Sequence, residues 1–369
     1  MRHRPERIAA ELLRSRDTGP LHTELERRMA DGDAVFLGDL GAELLRLTAA
    51  SSVPAWQHRS VLDTVVRLLA LTPGRRSVEQ LLRLTSGQDR AARKRARYAA
   101  SLLTSAQDPD GLRPVFRGSG SGSGGSDELR ACTLHELLVR GADLRDLPEA
   151  QRWSGVLRRG RHPLAWLPAR RSALESGAVL PSHSLRGSMS PRPSSGGGAP
   201  VRRRTGGVAV QEVTAPAALS AATAGWVEES NGLVEARAFE SAQPLEEGDL
   251  PGTLLGLACS GGSRNFSVYR SDAGAVWAEL FAAACGGGAY GGALYGAYGR
   301  LAAWRSLGGL TGAAEEASFE EVEGRAASCG WYHLGTSTSW YHRLIWDIGV
   351  AALSPGRRRL TVLAATDTD

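Results

Sequence analysis

The stretch WDIGVAALSPGRRRLTVLAATDTD, residues 346–369, decides the fold class of the C-terminal part of this chain. It holds two apolar, partly β-branched runs on either side of a Pro355-Gly356 pair. Apolar runs that flank a short turn segment are typical of a β-hairpin. The stretch therefore predicts two adjacent antiparallel strands, followed by an acidic TDTD sequence that we expect to be frayed.

The sequence before this hairpin predicts both strands and helices. GLVEARAF (232–239) and GTLLGLAC (252–259) have the composition of strands, whereas SDAGAVWAELFAAAC (271–285) has the length of a helix. Ser271 or Asp272 is placed to cap that helix, because a side-chain oxygen there can accept from the first free backbone N–H groups.

The stretch GGGAYGGALYGAYGRLAAW, residues 286–304, contains an unusual density of glycine. It lacks the Lys of a Walker loop, and its glycines do not follow the GxGxxG spacing of a dinucleotide-binding turn. On a helical projection its small residues share one side and its aromatic and leucine residues share the other. The pattern predicts one buried helix in which Gly288, Gly292, Gly296 and Gly299 allow close packing, so we expect Gly292→Leu to disrupt the fold.

The chain divides into five predicted segments. Residues 1–116 form an all-helical region, because Leu and Val recur there at intervals of three and four residues. Residues 117–127 are a Gly/Ser linker, 128–184 a basic helical connector, 185–207 a disordered linker and 208–369 an α+β domain. The predicted fold class is α+β, with a mainly antiparallel sheet and a buried glycine-rich helix in the C-terminal domain.

The positive charge is unevenly distributed. Residues 111–210 carry 16 basic and 7 acidic side chains, whereas residues 211–369 carry 10 basic and 18 acidic ones. Arg90, Arg93, Lys94 and Arg97 would form a basic stripe on one helix face, and with the Arg run at 202–204 this stripe is a candidate contact for nucleic-acid phosphates. No nucleic-acid reading motif accompanies it, so we favour a solvated face or an intramolecular match to the acidic domain.

Several classes of protein are disfavoured by the sequence. The twenty uncharged residues 280–299 are too rich in glycine and tyrosine for a membrane helix, and the N-terminus lacks the apolar segment of a secretory signal. The four cysteines form no CxxC pair. We therefore expect a cytoplasmic protein with reduced thiols.

The sequence WYH occurs twice, at 331–333 and 340–342, and Asp347 follows closely. His333, His342 and Asp347 are candidate catalytic or zinc-binding residues, with Cys329, Cys259 or Ser260 as a further ligand or nucleophile. Metal spacings such as HxxxH and HExxH are absent, so we favour strands packed side by side, no metal and no cofactor. In that interpretation the candidate binding residues are the aromatic ones, Trp331, Trp340 and Trp346.

Several of these stretches resemble an actinobacterial family known only as a domain of unknown function. The resemblance is carried by GGAYGGALYGAYGRLAAWRSLGGL, WYHRLIWDIGVAALSP and LTVLAATDTD, and also by PSHS at 181–184 and EESNGLVEARAF at 228–239. It implies a recurring glycine-rich helix and a terminal hairpin, but no activity or catalytic residues.

The sequence alone thus favours a non-catalytic binding or interaction protein, with a protein partner of unknown identity. The first alternative is a hydrolase-like or metal-dependent enzyme that uses His333, His342 and Asp347. The second is a nucleic-acid-associated protein that uses the basic stripe at 90–97.

Overall fold

The computed structural model describes residues 4–50, 55–117, 125–193, 197–204, 208–262, 266–290 and 292–368. The chain forms two compact units, which are described separately. The helical unit comprises residues 1–162 and 182–189, and the sheet unit comprises residues 163–181 and 190–369.

The helical unit is built from amphipathic helices that bury leucine, valine and alanine. Asp89 caps one of them by accepting from the Ala92 N–H at 2.9 Å, which satisfies a backbone donor that has no helical partner. Its helices are α1 (Pro5–Leu12), α2 (Gly19–Ala30), α3 (Ala34–Ala49), α4 (Trp56–Leu71), α5 (Arg75–Leu84), α6 (Arg90–Ala106), α7 (Pro109–Phe116), α8 (Asp127–Val139) and α9 (Pro148–Arg159).

A short antiparallel hairpin also belongs to the helical unit. It consists of β1 (Ser182–Ser184) and β2 (Gly187–Met189). The PSHS sequence therefore lies in a hairpin, and part of the predicted linker 185–207 is a strand. The predicted connector 128–184 is likewise divided, because α8 is buried in the helical unit whereas residues 163–181 belong to the sheet unit.

The sheet unit is organised by a six-stranded sheet whose pairs are all antiparallel. The strand order is β3-β4-β8-β7-β6-β5. The strands are β3 (Gln211–Val213), β4 (Leu233–Glu240), β5 (Val268–Ser271), β6 (Gly330–Leu334), β7 (Asp347–Leu353) and β8 (Arg359–Thr366). The predicted terminal hairpin is β7 and β8, and the predicted α+β class is confirmed.

The helices that accompany this sheet in the described residues are α10 (Ala224–Glu228), α11 (Leu250–Thr253), α12 (Ala273–Gly286), α13 (Tyr295–Leu310) and α14 (Phe319–Ser328). Helices α12 and α13 pack on each other, and a Cβ at Gly299 would lie 3.0 Å from the Cα of Cys285. Close approach therefore requires glycine at position 299, as the sequence predicts. Asp272 caps α12 by accepting from the Ala275 N–H at 2.9 Å.

The prediction of one glycine-rich helix through residue 288 is wrong. Helix α12 ends at Gly286, Gly287 has a φ of 74°, and α13 begins only at Tyr295. A left-handed φ interrupts a helix, and glycine adopts it without steric cost. Gly288 and Gly292 therefore lie in the connection between two helices.

The predicted strand at 252–259 is also wrong, because this segment forms α11 and short 3₁₀ turns. Pro251 opens the helical turn, and the Glu235 carboxylate accepts from the backbone N–H groups of Ala258 and Cys259 at 3.0 and 2.7 Å. Two backbone donors of this segment are therefore satisfied by a side chain of β4 instead of a neighbouring strand.

Candidate functional site

The sheet separates two of the predicted site residues. His333 on β6 pairs directly with Val350 on β7, and paired residues point to the same face. Asp347 lies three residues before Val350 and so points to the opposite face, because side chains alternate along a strand. His333 and Asp347 therefore do not share a site.

His333 faces the helices and forms an enclosed pair with Glu279 of α12. The distance from His333 Nε2 to Glu279 Oε2 is 2.7 Å, and the two side chains are 2% and 0% exposed. Burial raises the pKa of the Glu279 carboxyl, which the neighbouring His333 only partly opposes. The pair is enclosed, so no substrate can reach it in this conformation.

Asp347 belongs to a hydrogen-bonded corner on the other face. The Thr366 hydroxyl donates to Asp347 Oδ1 at 2.6 Å and accepts from the backbone N–H of His342 at 3.0 Å. Burial raises the pKa of Asp347, although the bond from Thr366 opposes this. His342 takes part through its backbone, and its imidazole side chain is exposed.

Of the predicted nucleophiles, Cys259 and Ser260 are buried, whereas Cys329 is half-buried. Tyr341 packs over Gly349, where a Cβ would lie 2.8 Å from the phenol oxygen. Burial raises the pKa of the Cys259 thiol well above its usual range, and it raises that of Cys329 to about 11. The Ser260 hydroxyl lies 2.8 Å from the carbonyl oxygens of Leu255 and Leu257 and is fully buried. The two thiols are therefore protonated at pH 7, and the Ser260 hydroxyl is already hydrogen-bonded, which is unfavourable for nucleophilic attack.

The three tryptophans proposed as binding residues do not form one surface. Trp331 is buried in β6 and donates from Nε1 to the Ala326 carbonyl at 2.8 Å. The second WYH sequence is a turn, so the expected side-by-side strands are not present. Trp340 packs edge-on against Tyr341, and the backbone carbonyl of Trp346 accepts from the Asp367 N–H.

The connection between α12 and α13 does cradle an anion, which is the chain's own Asp367. Ala289 N–H donates to Asp367 Oδ2 at 2.7 Å, and the Ser230 hydroxyl donates to Oδ1 at 3.0 Å. A Cβ at Gly288 would overlap this carboxylate. The expectation of a frayed TDTD end is therefore wrong at Asp367, which is fully buried.

A solvent-open groove of about 760 Å³ lies at the other end of the sheet. Four arginines line this arginine groove, together with Tyr332 and two glutamates. Arg270 donates from Nε to Glu247 at 2.8 Å, and Arg357 pairs with Glu246. The remaining two arginines, Arg202 and Arg204, are exposed and form no ion pair with any residue in the described ranges.

The groove has the electrostatics of an anion site. Its four guanidinium groups exceed its two carboxylates, so the lining is net positive. The Arg270 guanidinium lowers the pKa of Glu247, which keeps that carboxylate ionised and the Arg270 side chain in place. Burial and the adjacent Glu247 raise the pKa of Tyr332 to about 12, so its hydroxyl stays protonated and donates to Glu247 Oε1 at 3.3 Å. Sequence reasoning missed this site, apart from the Arg run at 202–204.

The basic stripe of the helical unit is only partly available. Arg97 donates from Nε to Glu128 at 2.6 Å, and His162 lies 3.2 Å from the same carboxylate. Arg90, Arg93 and Lys94 remain exposed. The stripe is therefore shorter than the sequence predicts, and one of its charges stabilises the helical unit.

The PSHS sequence contributes a polar cluster to the helical unit. His183 Nδ1 lies 2.7 Å from Ser188 Oγ, and His183 Nε2 lies 3.0 Å from Ser101 Oγ. Arg67 donates to Ser188 Oγ at 3.1 Å. Burial and the charges of Arg140 and Arg67 lower the pKa of His183 to about 4, so the imidazole is neutral at pH 7. These bonds fasten the hairpin to α4 and α6.

Two negative findings concern the described residues only. Within the part of the chain that the structure describes, no three His, Cys, Asp or Glu side chains converge as metal ligands would. No helix in that part of the chain combines the length and the hydropathy needed to cross a membrane.

The chain belongs to a family described as "Family of unknown function (DUF6183)", whose model matches residues 19–369. The match covers both units, so the resemblance seen in the C-terminal stretches extends through most of the helical unit. No curated protein and no solved structure matches the chain.

Proposed function

We propose that this chain is a non-catalytic binding protein of the cytoplasm, and that its arginine groove receives an anionic small molecule. The observation that carries this proposal is the contrast between enclosed acid–base groups and exposed arginines. A general base must come within hydrogen-bonding distance of its substrate. Glu279 and His333 are 0% and 2% exposed, whereas the arginine groove is open to solvent.

Arg202 and Arg204 are the residues expected to recognise the ligand. Guanidinium groups bind carboxylate and phosphate through paired N–H donors, and a charge-assisted hydrogen bond contributes about 1.5–3 kcal/mol. Arg270 and Arg357 already have carboxylate partners. They therefore contribute positive electrostatic potential and part of the groove wall more than new hydrogen bonds to the ligand. A phosphate ester and a polycarboxylate share the chemistry that this lining recognises.

The position of Arg204 depends on Gly248. A Cβ at Gly248 would lie 2.5 Å from Arg204 Cγ and 3.1 Å from the Arg202 carbonyl oxygen. The aliphatic part of the Arg204 side chain therefore packs directly against Gly248, and a methyl group at that position would displace it. Gly248→Ala tests the position of the guanidinium without altering any charge.

The experiment is isothermal titration calorimetry of the full chain with inorganic pyrophosphate and with citrate. We expect one of these probes to bind, and the double variant Arg202→Gln, Arg204→Gln to weaken its binding at least about hundredfold, because two charge-assisted bonds are lost. Arg203→Gln is the matched control, since Arg203 is exposed and does not line the groove. Gly248→Ala should also weaken binding.

Two results would contradict the proposal. One is the absence of binding by both probes, and the other is equal loss of affinity in Arg203→Gln and in the double variant. A single-stranded oligonucleotide serves as a third probe. Oligonucleotide binding that is lost on substitution of Arg90, Arg93 and Lys94, but not of Arg202 and Arg204, would favour the nucleic-acid alternative instead.

A further inference from the structure

A second cleft of the sheet unit, separate from the arginine groove, has a different chemistry. It encloses about 530 Å³ beside the C-terminal half of α13. This volume falls within the usual range for small-molecule sites. No residue of the arginine groove lines it.

Most residues that line this cleft are tryptophan, alanine or glycine. The ring of Trp166 forms one wall, and its Nε1 already donates to the Ala317 carbonyl at 3.0 Å, so the indole presents only apolar surface. Trp304, which is fully buried, lies beneath. Gly308 and Ala218 are two of the alanine and glycine residues that make up most of the remaining lining. Such a space suits a flat apolar group that can lie against indole.

Two oppositely charged side chains, Arg305 and Glu315, line the same cleft. The Arg305 guanidinium carbon lies 4.4 Å from the centroid of the Trp166 ring, so the guanidinium stacks on the face of the indole in a cation–π interaction. A stacked guanidinium keeps its N–H edges available for a carboxylate. Glu315 also lines the cleft and is exposed. Among the residues that the structure describes, neither Arg305 nor Glu315 has an ion-pair partner within 4.0 Å.

We propose that this cleft binds a free aromatic α-amino acid. The ring would lie against Trp166, the carboxylate would receive the N–H groups of Arg305, and the ammonium group would donate to Glu315. A ligand with one charge would leave either Arg305 or Glu315 without a partner, whereas a zwitterion satisfies both. The assignment does not depend on the arginine groove, since the two sites share no residue.

The experiment is calorimetric titration of the full chain with three probes: L-tryptophan, indole-3-propionate and tryptamine. Indole-3-propionate keeps the carboxylate and lacks the ammonium group, and tryptamine keeps the ammonium group and lacks the carboxylate. We expect L-tryptophan to bind at least about tenfold more tightly than either analogue, because each analogue loses one charge-assisted hydrogen bond.

Single substitutions test whether L-tryptophan binds in this cleft. Arg305→Gln and Glu315→Gln should each weaken L-tryptophan binding at least about tenfold. Glu316→Gln is the matched control, because this neighbouring glutamate is exposed and does not line the cleft. Ala218→Leu should block the cleft sterically, and an unchanged unfolding temperature would show that it does so in a folded protein.

Three results would overturn the assignment. The first is no binding of L-tryptophan to the wild-type chain, and the second is equal affinity for all three probes. The third is unchanged affinity in Arg305→Gln and Glu315→Gln, which would place any binding elsewhere. We expect these variants to leave pyrophosphate or citrate binding at the arginine groove unchanged, because the two sites share no residue, so failure here is distinguishable from failure of the proposed function.

Discussion

Replacing Glu175 with glutamine would leave a buried arginine without its counter-charge. Glu175 Oε1 accepts from Arg300 Nε at 2.6 Å and from Trp304 Nε1 at 2.7 Å. Its second oxygen accepts from Arg300 Nη2 at 3.1 Å and from the Ser172 backbone N–H at 3.0 Å. Both partners of the ion pair are 0% exposed. The carboxylate therefore satisfies four donors that water cannot reach.

The magnitude follows from this burial. Removing one partner of a buried ion pair typically costs about 3–5 kcal/mol, because the other charge is left uncompensated. In a domain of about 200 residues, each kcal/mol lowers the unfolding midpoint by about 2–4 °C. We therefore expect Glu175→Gln to lower the unfolding transition of the sheet unit by about 10 °C in differential scanning calorimetry of the full chain.

Two further variants make this expectation specific. Glu323→Gln removes the half-buried partner of the exposed Arg170 and should change stability by less than about 1 kcal/mol, because water still reaches both groups. The double variant Glu175→Gln, Arg300→Met should recover part of the loss, since the uncompensated charge is also removed. A midpoint shift below about 2 °C in Glu175→Gln, or a double variant no more stable than the single one, would refute the reasoning.

Two other stability predictions follow from the structure. Burial alone would raise the pKa of Glu128, but hydrogen bonds from His162 and Arg97 lower it to about 2, from 4.5 as the usual value. The ionised carboxylate thus stabilises the helical unit above pH 4.5, and the stabilisation, about 2 kcal/mol after allowance for solvent screening, is lost as the pH falls towards 2. Urea unfolding at pH 6 and pH 3 should show a larger loss in the wild type than in Glu128→Gln, and equal losses would contradict the assignment. Gly288→Ala should destabilise the sheet unit by about 2 kcal/mol because its Cβ displaces Asp367, whereas Gly256→Ala, whose Cβ meets nothing within 4 Å, should have little effect in the same calorimetric measurement.

The parts of the fold that the sequence predicts well depend on contacts between neighbours in the chain. Strands β7 and β8 are joined by a short turn, so their two apolar runs and the Pro355-Gly356 pair contain most of the necessary information. The Asp272 cap of α12 is similarly local. The segment at 252–259 is different, because its conformation depends on the Glu235 carboxylate about two dozen residues earlier.

The interruption of the glycine-rich helix has the same kind of cause. Periodicity correctly places the small and large residues of α13, since Trp304 is fully buried and Gly299 contacts α12. It fails before Tyr295, where the backbone leaves the helix and donates to Asp367, 78 residues beyond Ala289. A helical projection compares residues only with their own neighbours, so it cannot detect a distant acceptor.

The candidate site shows why composition could not identify the chemistry. The chain contains 43 arginines and one lysine, so an Arg run at 202–204 is not unusual in this sequence. The structure distinguishes its members, because Arg202 and Arg204 line the groove whereas Arg203 does not. Gly248 is what permits the Arg204 side chain to lie there, and it is more than forty residues away in the chain. Both Arg203→Gln and Gly248→Ala leave the net charge of the groove and its number of arginines unchanged. If the ligand still binds to Arg203→Gln but no longer binds to Gly248→Ala, binding therefore depends on the position of one guanidinium group.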